Sequence, residues 1–201
     1  MDLLFAKSII ECLLFVSDTP VEVKSIKQVL EELDEREIRK ILTELQMDYE
    51  TQGRPLCITE VAEGFSIVTR EQYAPFIKKL FKAKVTHRLS KAALETLAIV
   101  ACKQPLTKLE IESLRGVSAD GVLDTLYERK LIRIVGRKEV IGRPLLYGTT
   151  KDFLQYFGLK DLTELPKLEE VNQILGSQTW QTKNGRNEEK IKEQNSQAPL
   201  L

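Results

Sequence analysis

Between Leu89 and Gly158 the spacing of apolar residues changes in a fixed order, and this order constrains the fold more than any other feature of the sequence. Apolar residues first recur every three or four positions over three segments, as on helices that bury one face. They then alternate with polar residues on both sides of a loop that contains Gly136 and Gly142, which is typical of two short strands. A short helical segment follows. Three helices, a hairpin and a closing helix are the order of a winged-helix domain.

Residues with well-defined capping roles mark the ends of these helices. Pro105 stops the first helix. Thr107 and Glu110 have the spacing of a capping box, in which each side chain binds a backbone N–H that the start of the second helix leaves unpaired. Gly116 can adopt the positive φ that ends this helix, and Ser118 is predicted to cap the third one.

The first half of the chain repeats the same order of segments in diverged form. A capping-box spacing recurs at Asp34 and Glu37, and Glu63 with Gly64 separates two strand-like segments. The closing helix is predicted to start afresh around Pro75. The opening helix is predicted to direct five apolar side chains toward the core: Phe5, Ile9, Cys12, Leu13 and Val16. The closing helix is predicted to bury Tyr73, Phe76, Ile77 and Leu80.

The expected fold class is mainly α with small β-hairpins (α+β), built as tandem winged-helix domains. The N-terminal domain is expected at residues 1–81, a short cationic linker at 82–88 and the C-terminal domain at 89–168. Residues 169–201 are polar, rich in Gln, Asn, Lys and Glu, and show no period. A disordered tail is expected there.

The composition excludes several classes of protein. Of all residues, 42% are hydrophobic and 30% charged, and no apolar run approaches the roughly 20 residues that a membrane-spanning helix needs. The N-terminus carries acidic residues and a helical period, unlike a signal peptide. Three cysteines form no CxxC pair, and Cys12 and Cys102 lie among apolar helix positions, where burial is expected. These features favour the reducing cytoplasm.

The sequence offers no set of residues for catalysis or metal binding. His87 is the one histidine, so neither a metal cluster nor a Ser/His/Asp set has an imidazole to spare. Glycine-rich phosphate loops are absent. We therefore expect a protein that is not an enzyme and has no catalytic residue, cofactor or metal site.

A winged helix usually suggests DNA binding, but the third helix of the second domain is acidic. It offers Asp120, Asp124 and Glu128 to solvent, where a groove-reading helix needs cations or amides. Thirty basic and thirty acidic residues also leave no positive surplus. The loop between the strands differs, because four cations gather there: Arg133, Arg137, Lys138 and Arg143. They are candidates for contact with phosphates or with an acidic protein segment, and an ordinary solvated loop is the alternative.

Particular positions of the second domain carry a resemblance to a known family. They are Leu89, Ser90, Ala93, Leu94, Glu95, Ala98, Ile99, Gln104, Pro105, Glu110, Ile111, Arg115, Gly116 and Val117, with the run from Gly142 to Thr150. In these positions the chain closely resembles the segregation and condensation protein B family, the winged-helix subunit of the bacterial SMC–kleisin complex. The first domain is similar more loosely, and the resemblance extends over about residues 1–168. Cys102 departs from the aromatic residue expected there.

This resemblance implies a non-enzymatic accessory subunit. Members form homodimers through the N-terminal domain and bind the kleisin, segregation and condensation protein A, which in turn bridges the SMC ATPase heads. The implied role is to support chromosome condensation and partition during cell division, in the cytoplasm and at the nucleoid, with DNA contact at most indirect or weak and no membrane. A winged-helix transcriptional regulator that binds DNA is the alternative.

Two sets of residues are candidate contacts for the partners that the resemblance implies. For the kleisin, a groove between the third helix and the wing of the second domain is proposed, with apolar and aromatic anchors. Its candidate residues are Tyr127, Arg143, Leu146 and Tyr147. For the dimer, the candidates are apolar residues of the first helix beyond those that the core needs, namely Leu3, Leu4, Ile10 and Leu14.

Overall fold

The computed structural model describes residues 2–81 and 88–165. Most of the predicted linker, including His87, and the whole predicted tail lie outside the described residues. Residues up to Glu164 belong to one compact unit. No helix in the described part is long and apolar enough to cross a bilayer.

The first half contains four α-helices and one antiparallel hairpin. In chain order the elements are α1 (Leu3–Val16), α2 (Val23–Val29), α3 (Glu35–Thr51), β1 (Leu56–Val61), β2 (Gly64–Thr69), a 3-10 turn (Glu71–Tyr73) and α4 (Ala74–Leu80). An isolated bridge between Val21 and Phe65 adds the segment before α2 to the edge of the hairpin. This half therefore has the predicted order of helices and strands.

The second half repeats this order with one additional strand. Its elements are α5 (Lys91–Lys103), β3 (Leu106–Thr107), α6 (Lys108–Arg115), α7 (Asp120–Glu128), β4 (Ile132–Arg137), β5 (Leu145–Thr149), α8 (Lys151–Phe157) and a 3-10 turn (Leu162–Glu164). The three strands form an antiparallel sheet in the order β3-β5-β4. The predicted fold class, mainly α with small hairpins in tandem winged helices, is confirmed. The exact domain bounds stay a prediction.

Local capping explains where several helices begin and end. Both predicted capping boxes form: Asp34 accepts from the N–H of Glu37 at 2.8 Å, and Thr107 accepts from the N–H of Glu110 at 3.3 Å. Gly116 ends α6 in the left-handed region, at φ +75°. Pro75 lies in the first turn of α4, where its missing N–H costs no helical hydrogen bond, so the predicted fresh start is confirmed.

The predicted cap of α7 is wrong. The helix begins one residue later than expected, after Ala119 rather than Ser118, and no side chain of the N-cap residue binds its first turn. The carboxylate of Glu112 on α6 instead binds the N-cap residue itself, since its Oε1 accepts from the N–H of Ala119 at 3.0 Å. A residue seven positions earlier in the chain therefore helps to hold the start of α7 in place.

The opening helix buries a different face from the predicted one. Its buried residues are Ala6, Ile10 and Leu14, spaced four apart, and they pack with α2, α3 and the hairpin. Of the five residues predicted to face the core, Phe5, Cys12 and Val16 are exposed, whereas Ile9 and Leu13 are partly buried and pack against the core. Because α1 is apolar nearly all round, its periodicity could not select between the two faces. Ile10 and Leu14 therefore belong to the core of the monomer, and their assignment as surplus residues for a dimer is wrong.

Two further expectations of burial are wrong. Cys12 and Cys102 are both exposed, and Cys57 is half-buried. Helix α4 has no buried residue, and Phe76 and Leu80 are 69% and 80% exposed. Among the described residues no element covers this apolar helix, which is typical of a surface that a partner covers.

Candidate partner-binding surfaces

The outer face of α1 forms a shallow apolar groove. It has a volume of about 330 Å³ and is lined by Phe5, Ser8, Ile9, Cys12, Leu13 and Val16, here called the α1 groove. Leu3 and Leu4, two of the predicted dimer residues, are 54% and 71% exposed at the start of the same helix. The exposed apolar surface on α1 therefore includes Phe5, Cys12 and Val16, which the sequence assigned to the core, together with Leu3 and Leu4.

Polar contacts on either side of the helix hold α1 in place on α3. Lys7 binds Asp48 at 2.7 Å and Glu44 at 3.6 Å. On the other side, the Tyr49 hydroxyl donates to Glu11 at 2.5 Å, and the guanidinium of Arg54 lies 4.7 Å from the centre of the Tyr49 ring. Burial, followed by the Glu11 carboxylate, raises the pKa of Tyr49. Because α1 is fixed from both sides, the groove is formed before any partner arrives.

The wing of the second half is the loop between β4 and β5. Its tip is a turn in which the N–H of Arg143 donates to the carbonyl of Val140 at 2.9 Å. Gly142 occupies the third position at φ +86°, a conformation that favours glycine there. Ile141, at the second position, is fully exposed, at 104%. A large apolar side chain at the tip of the wing has no contact that stabilises it within the monomer.

One of the four predicted wing cations is neutralised inside the molecule. Lys138 donates to Glu110 of α6 at 2.5 Å. This bond, together with those from Thr107, lowers the pKa of Glu110 to about 2. The pair ties the wing to α6, so Lys138 is not a free cation for phosphate or an acidic segment.

The other three cations keep their charge available. Arg133 donates to the carbonyl of Thr149 at 3.3 Å, and Arg137 donates to the carbonyl of Arg143 at 3.2 Å. Neutral carbonyls orient these guanidinium groups without cancelling their charge. Within residues 2–81 and 88–165, no carboxylate forms an ion pair with any of the three arginines.

The four residues predicted for kleisin binding do not form one flat patch. Tyr127 on α7 is half exposed, and Arg143 is exposed on the wing. Leu146 and Tyr147 are partly buried neighbours in β5, the central strand of the sheet. Successive side chains of a strand point to opposite faces, so Leu146 and Tyr147 cannot both face one partner surface.

The two halves of the chain meet at the turn of the first hairpin. The N–H groups of Ala62 and Glu63 donate to the carbonyls of Leu159 and Lys160, each at 2.8 Å. Lys151 binds Glu63 at 3.1 Å and also Glu22. Ala62 and Glu63 have φ of +50° and +65°, which is costly for residues with a Cβ, and the paired N–H groups help to offset that strain.

The charge pair at Glu110 makes the second half sensitive to acid. We expect Glu110→Gln to lower the free energy of unfolding near neutral pH, because glutamine keeps the capping position but loses the charge that binds Lys138. The folded pKa is depressed from 4.5, so the stabilisation is present above about 4.5 and is lost as pH falls toward about 2. Urea unfolding of both proteins over this range should show the difference shrinking.

The control for this prediction is Glu139→Gln, which removes a neighbouring exposed carboxylate of the wing. It should leave the free energy of unfolding nearly unchanged at every pH. A Glu110→Gln difference that stays constant down to the lowest pH would contradict the assignment of the effect to the Lys138 pair.

No candidate metal centre accompanies these surfaces. Across the described ranges, no three side chains of His, Cys, Asp or Glu are gathered closely enough to hold an ion.

Comparison with known proteins identifies the family. The sequence model for the segregation and condensation complex subunit ScpB matches residues 8–168. The chain belongs to this family. A ScpB protein from Symbiobacterium thermophilum is 50% identical over 163 residues, which are 81% of this chain and 74% of the relative. One from Syntrophotalea carbinolica is 42% identical over 174 residues, 87% of each chain.

Solved structures of the ScpB family are also similar to this chain. One is the dimer of a ScpB N-terminal domain complexed with a ScpA peptide, which is 35% identical. The match covers 39% of this chain and 96% of the solved chain, with a TM-score of 0.36. The family resemblance stated from the sequence is confirmed.

Proposed function

We propose that this chain is a non-enzymatic, dimeric subunit of a condensin-like SMC–kleisin complex. In it the chain binds and braces the kleisin, segregation and condensation protein A, and through the kleisin acts on the SMC ATPase. Its role is to support chromosome condensation and partition during cell division, at the nucleoid in the cytoplasm. The observation that carries the proposal is the family match across residues 8–168. The apolar surface on α1 and α4, which the monomer leaves open, supports it.

The test is light scattering on a sizing column, with the chain alone and mixed with the kleisin of the same organism. We expect a dimer that takes up one kleisin. A monomer that ignores the kleisin would refute the proposal. Salt-dependent, sequence-selective DNA binding in the same preparation would instead favour a transcriptional regulator. The exposed carboxylates of Asp124 and Glu128 on α7 disfavour that alternative, because a helix that reads the DNA groove needs cations or amides there.

For the dimer contact, we propose the α1 groove together with Leu3 and Leu4. Phe5 and Val16 line the groove, and they are 61% and 76% exposed. Burying such a side chain contributes about 1.5–3 kcal/mol, so a few of them suffice for a stable contact. Tyr127 and Arg143 stay proposed contacts for the kleisin, as does one of Leu146 and Tyr147.

The double substitution Phe5→Glu with Val16→Glu should convert the dimer to a monomer that remains folded, because both side chains are exposed in the monomer. Two carboxylates on each copy would meet across the contact, where apolar surface is expected to be buried. Light scattering gives the mass, and circular dichroism checks the fold. Met47→Glu on α3 is the matched control, since Met47 is 60% exposed and outside the groove. Persistence of the dimer in the double variant would locate the interface elsewhere.

A further inference from the structure

Strand β4 has an open edge on the side away from β5. The sheet order β3-β5-β4 puts β4 at the margin, and no described segment pairs with its other side. An unpaired edge presents N–H and C=O groups to which another extended chain can bind.

The hydrogen bonds around β4 show which backbone groups face outward. The N–H of Thr150 donates to the carbonyl of Leu131, and the N–H of Lys138 donates to that of Pro144. Bonded and non-bonded positions alternate in an antiparallel pair, and the register shifts between Ile134 and Gly136. Leu131 and Lys138 are thus bonded positions at the two ends of β4. Alternation counted from Leu131 makes Ile134 a non-bonded position, and alternation counted back from Lys138 makes Arg137 one as well. Their N–H and C=O groups therefore point to the open side.

The side chains along this edge combine apolar surface with unneutralised positive charge. Ile134 and Val135 are each 43% exposed, and Ile141 stands free at the tip. Arg133, Arg137 and Arg143 form no ion pair with a carboxylate in the described part of the chain. These six residues are called the wing edge.

The charge of the wing edge selects among possible occupants. Arginines and a register shift on an edge strand discourage pairing with a second copy, because like charges would meet. Nucleic acid is also disfavoured, since the adjacent α7 exposes the carboxylates of Asp124 and Glu128. An acidic polypeptide with interspersed apolar residues can pair its carboxylates with the arginines and bury the exposed Ile and Val side chains.

We propose that the wing edge binds an extended acidic segment of the kleisin by strand addition to β4. This inference rests on the proposed function, which supplies the kleisin as partner. The backbone of the segment pairs with Ile134 and Arg137, its carboxylates meet the arginines, and its apolar side chains cover Val135 and Ile141. The wing is then a docking strand rather than a contact for phosphates.

The experiment measures binding of the full-length kleisin to the full chain and to two variants of the wing edge. Ile134→Pro removes an outward N–H that the sheet does not use, and edge positions tolerate proline. Arg133→Glu with Arg137→Glu reverses the charge. Lys91→Glu with Lys103→Glu on α5 is the matched control, because both lysines are exposed and the change in net charge is the same. Circular dichroism and thermal unfolding establish that each variant is folded.

We expect both wing-edge variants to bind the kleisin at least about tenfold more weakly, since main-chain bonds supply affinity in strand addition and charge supplies specificity. The control should bind like the unmodified chain. Hydrogen exchange should show that the kleisin protects the amides of Ile134 and Arg137, which are exposed in the free chain.

Each other outcome overturns a defined part of the proposal. Normal binding by both variants, without amide protection, overturns the wing edge as the kleisin site and leaves the proposed function standing. Weaker binding only on charge reversal, again without protection, overturns strand addition in favour of side-chain contact. Failure of the unmodified chain to bind the kleisin overturns the proposed function and this inference with it.

Discussion

Substituting Gly64 with alanine should lower the free energy of unfolding by about 1–3 kcal/mol, the range expected for an overpacked interior. A Cβ on Gly64 would lie 2.9 Å from the carbonyl carbon and oxygen of Val21 and 3.0 Å from the carbonyl carbon of Pro20. These are backbone atoms, and the bridge between Val21 and Phe65 holds them in place with bonds of 2.8 and 2.9 Å. The clash cannot be relieved by rotating a side chain, so the bridge itself must open.

Urea unfolding followed by circular dichroism measures this effect. Gly121→Ala is the matched control, because a Cβ there meets nothing within 4 Å and the residue lies inside α7. Alanine favours a helix over glycine by roughly 0.5–1 kcal/mol, so the control should be slightly stabilised. If Gly64→Ala proved as stable as the unmodified chain, the close approach of the two segments would be wrong.

Features fixed by neighbours in the chain were predictable from the sequence. The capping boxes at Asp34 and Thr107 formed because each joins residues three positions apart, and Gly116 ended its helix because only local backbone geometry matters there. The order of helices and strands follows from the same local patterns. These features establish the fold class without knowledge of how the elements pack.

Features that depend on contacts between distant residues were not predictable. Lys138 pairs with Glu110 across 28 positions, and Glu112 of the preceding helix binds the N–H of Ala119 at the start of α7. The strand β3 has only two residues and exists because β5 lies beside it, with Thr107 opposite Leu146. No local pattern contains this information.

The candidate partner-binding surfaces also depend on contacts between distant residues, so the sequence alone could not locate them. The cations of the wing were candidates for partner contact from the sequence, whereas the apolar residues of the α1 groove were assigned to the core. The sequence could not say which apolar face of α1 was free, since the helix has hydrophobic residues on both faces. The family resemblance supplied the partners, while the free surfaces had to come from the packing.

Substitutions on the buried face and on the outer face of α1 should change the free energy of unfolding in different ways. Ile10 is completely buried, whereas Phe5 on the outer face is 61% exposed. Ile10→Ala should lower the free energy of unfolding by about 2–5 kcal/mol, the usual cost of removing a buried isoleucine side chain. This loss should be the same at every protein concentration, because the cavity lies within one monomer.

Phe5→Ala should behave differently, because its contacts are proposed to form only when two copies meet. Association stabilises the folded state by mass action, so this variant should lose stability at high protein concentration and match the unmodified chain at low concentration. Chemical denaturation of both variants at low and high concentration separates the two cases. An equal, concentration-independent loss for Phe5→Ala would mean that Phe5 packs in the core of the monomer. The proposed dimer surface would then have to be sought on α4, where Phe76 and Leu80 are exposed.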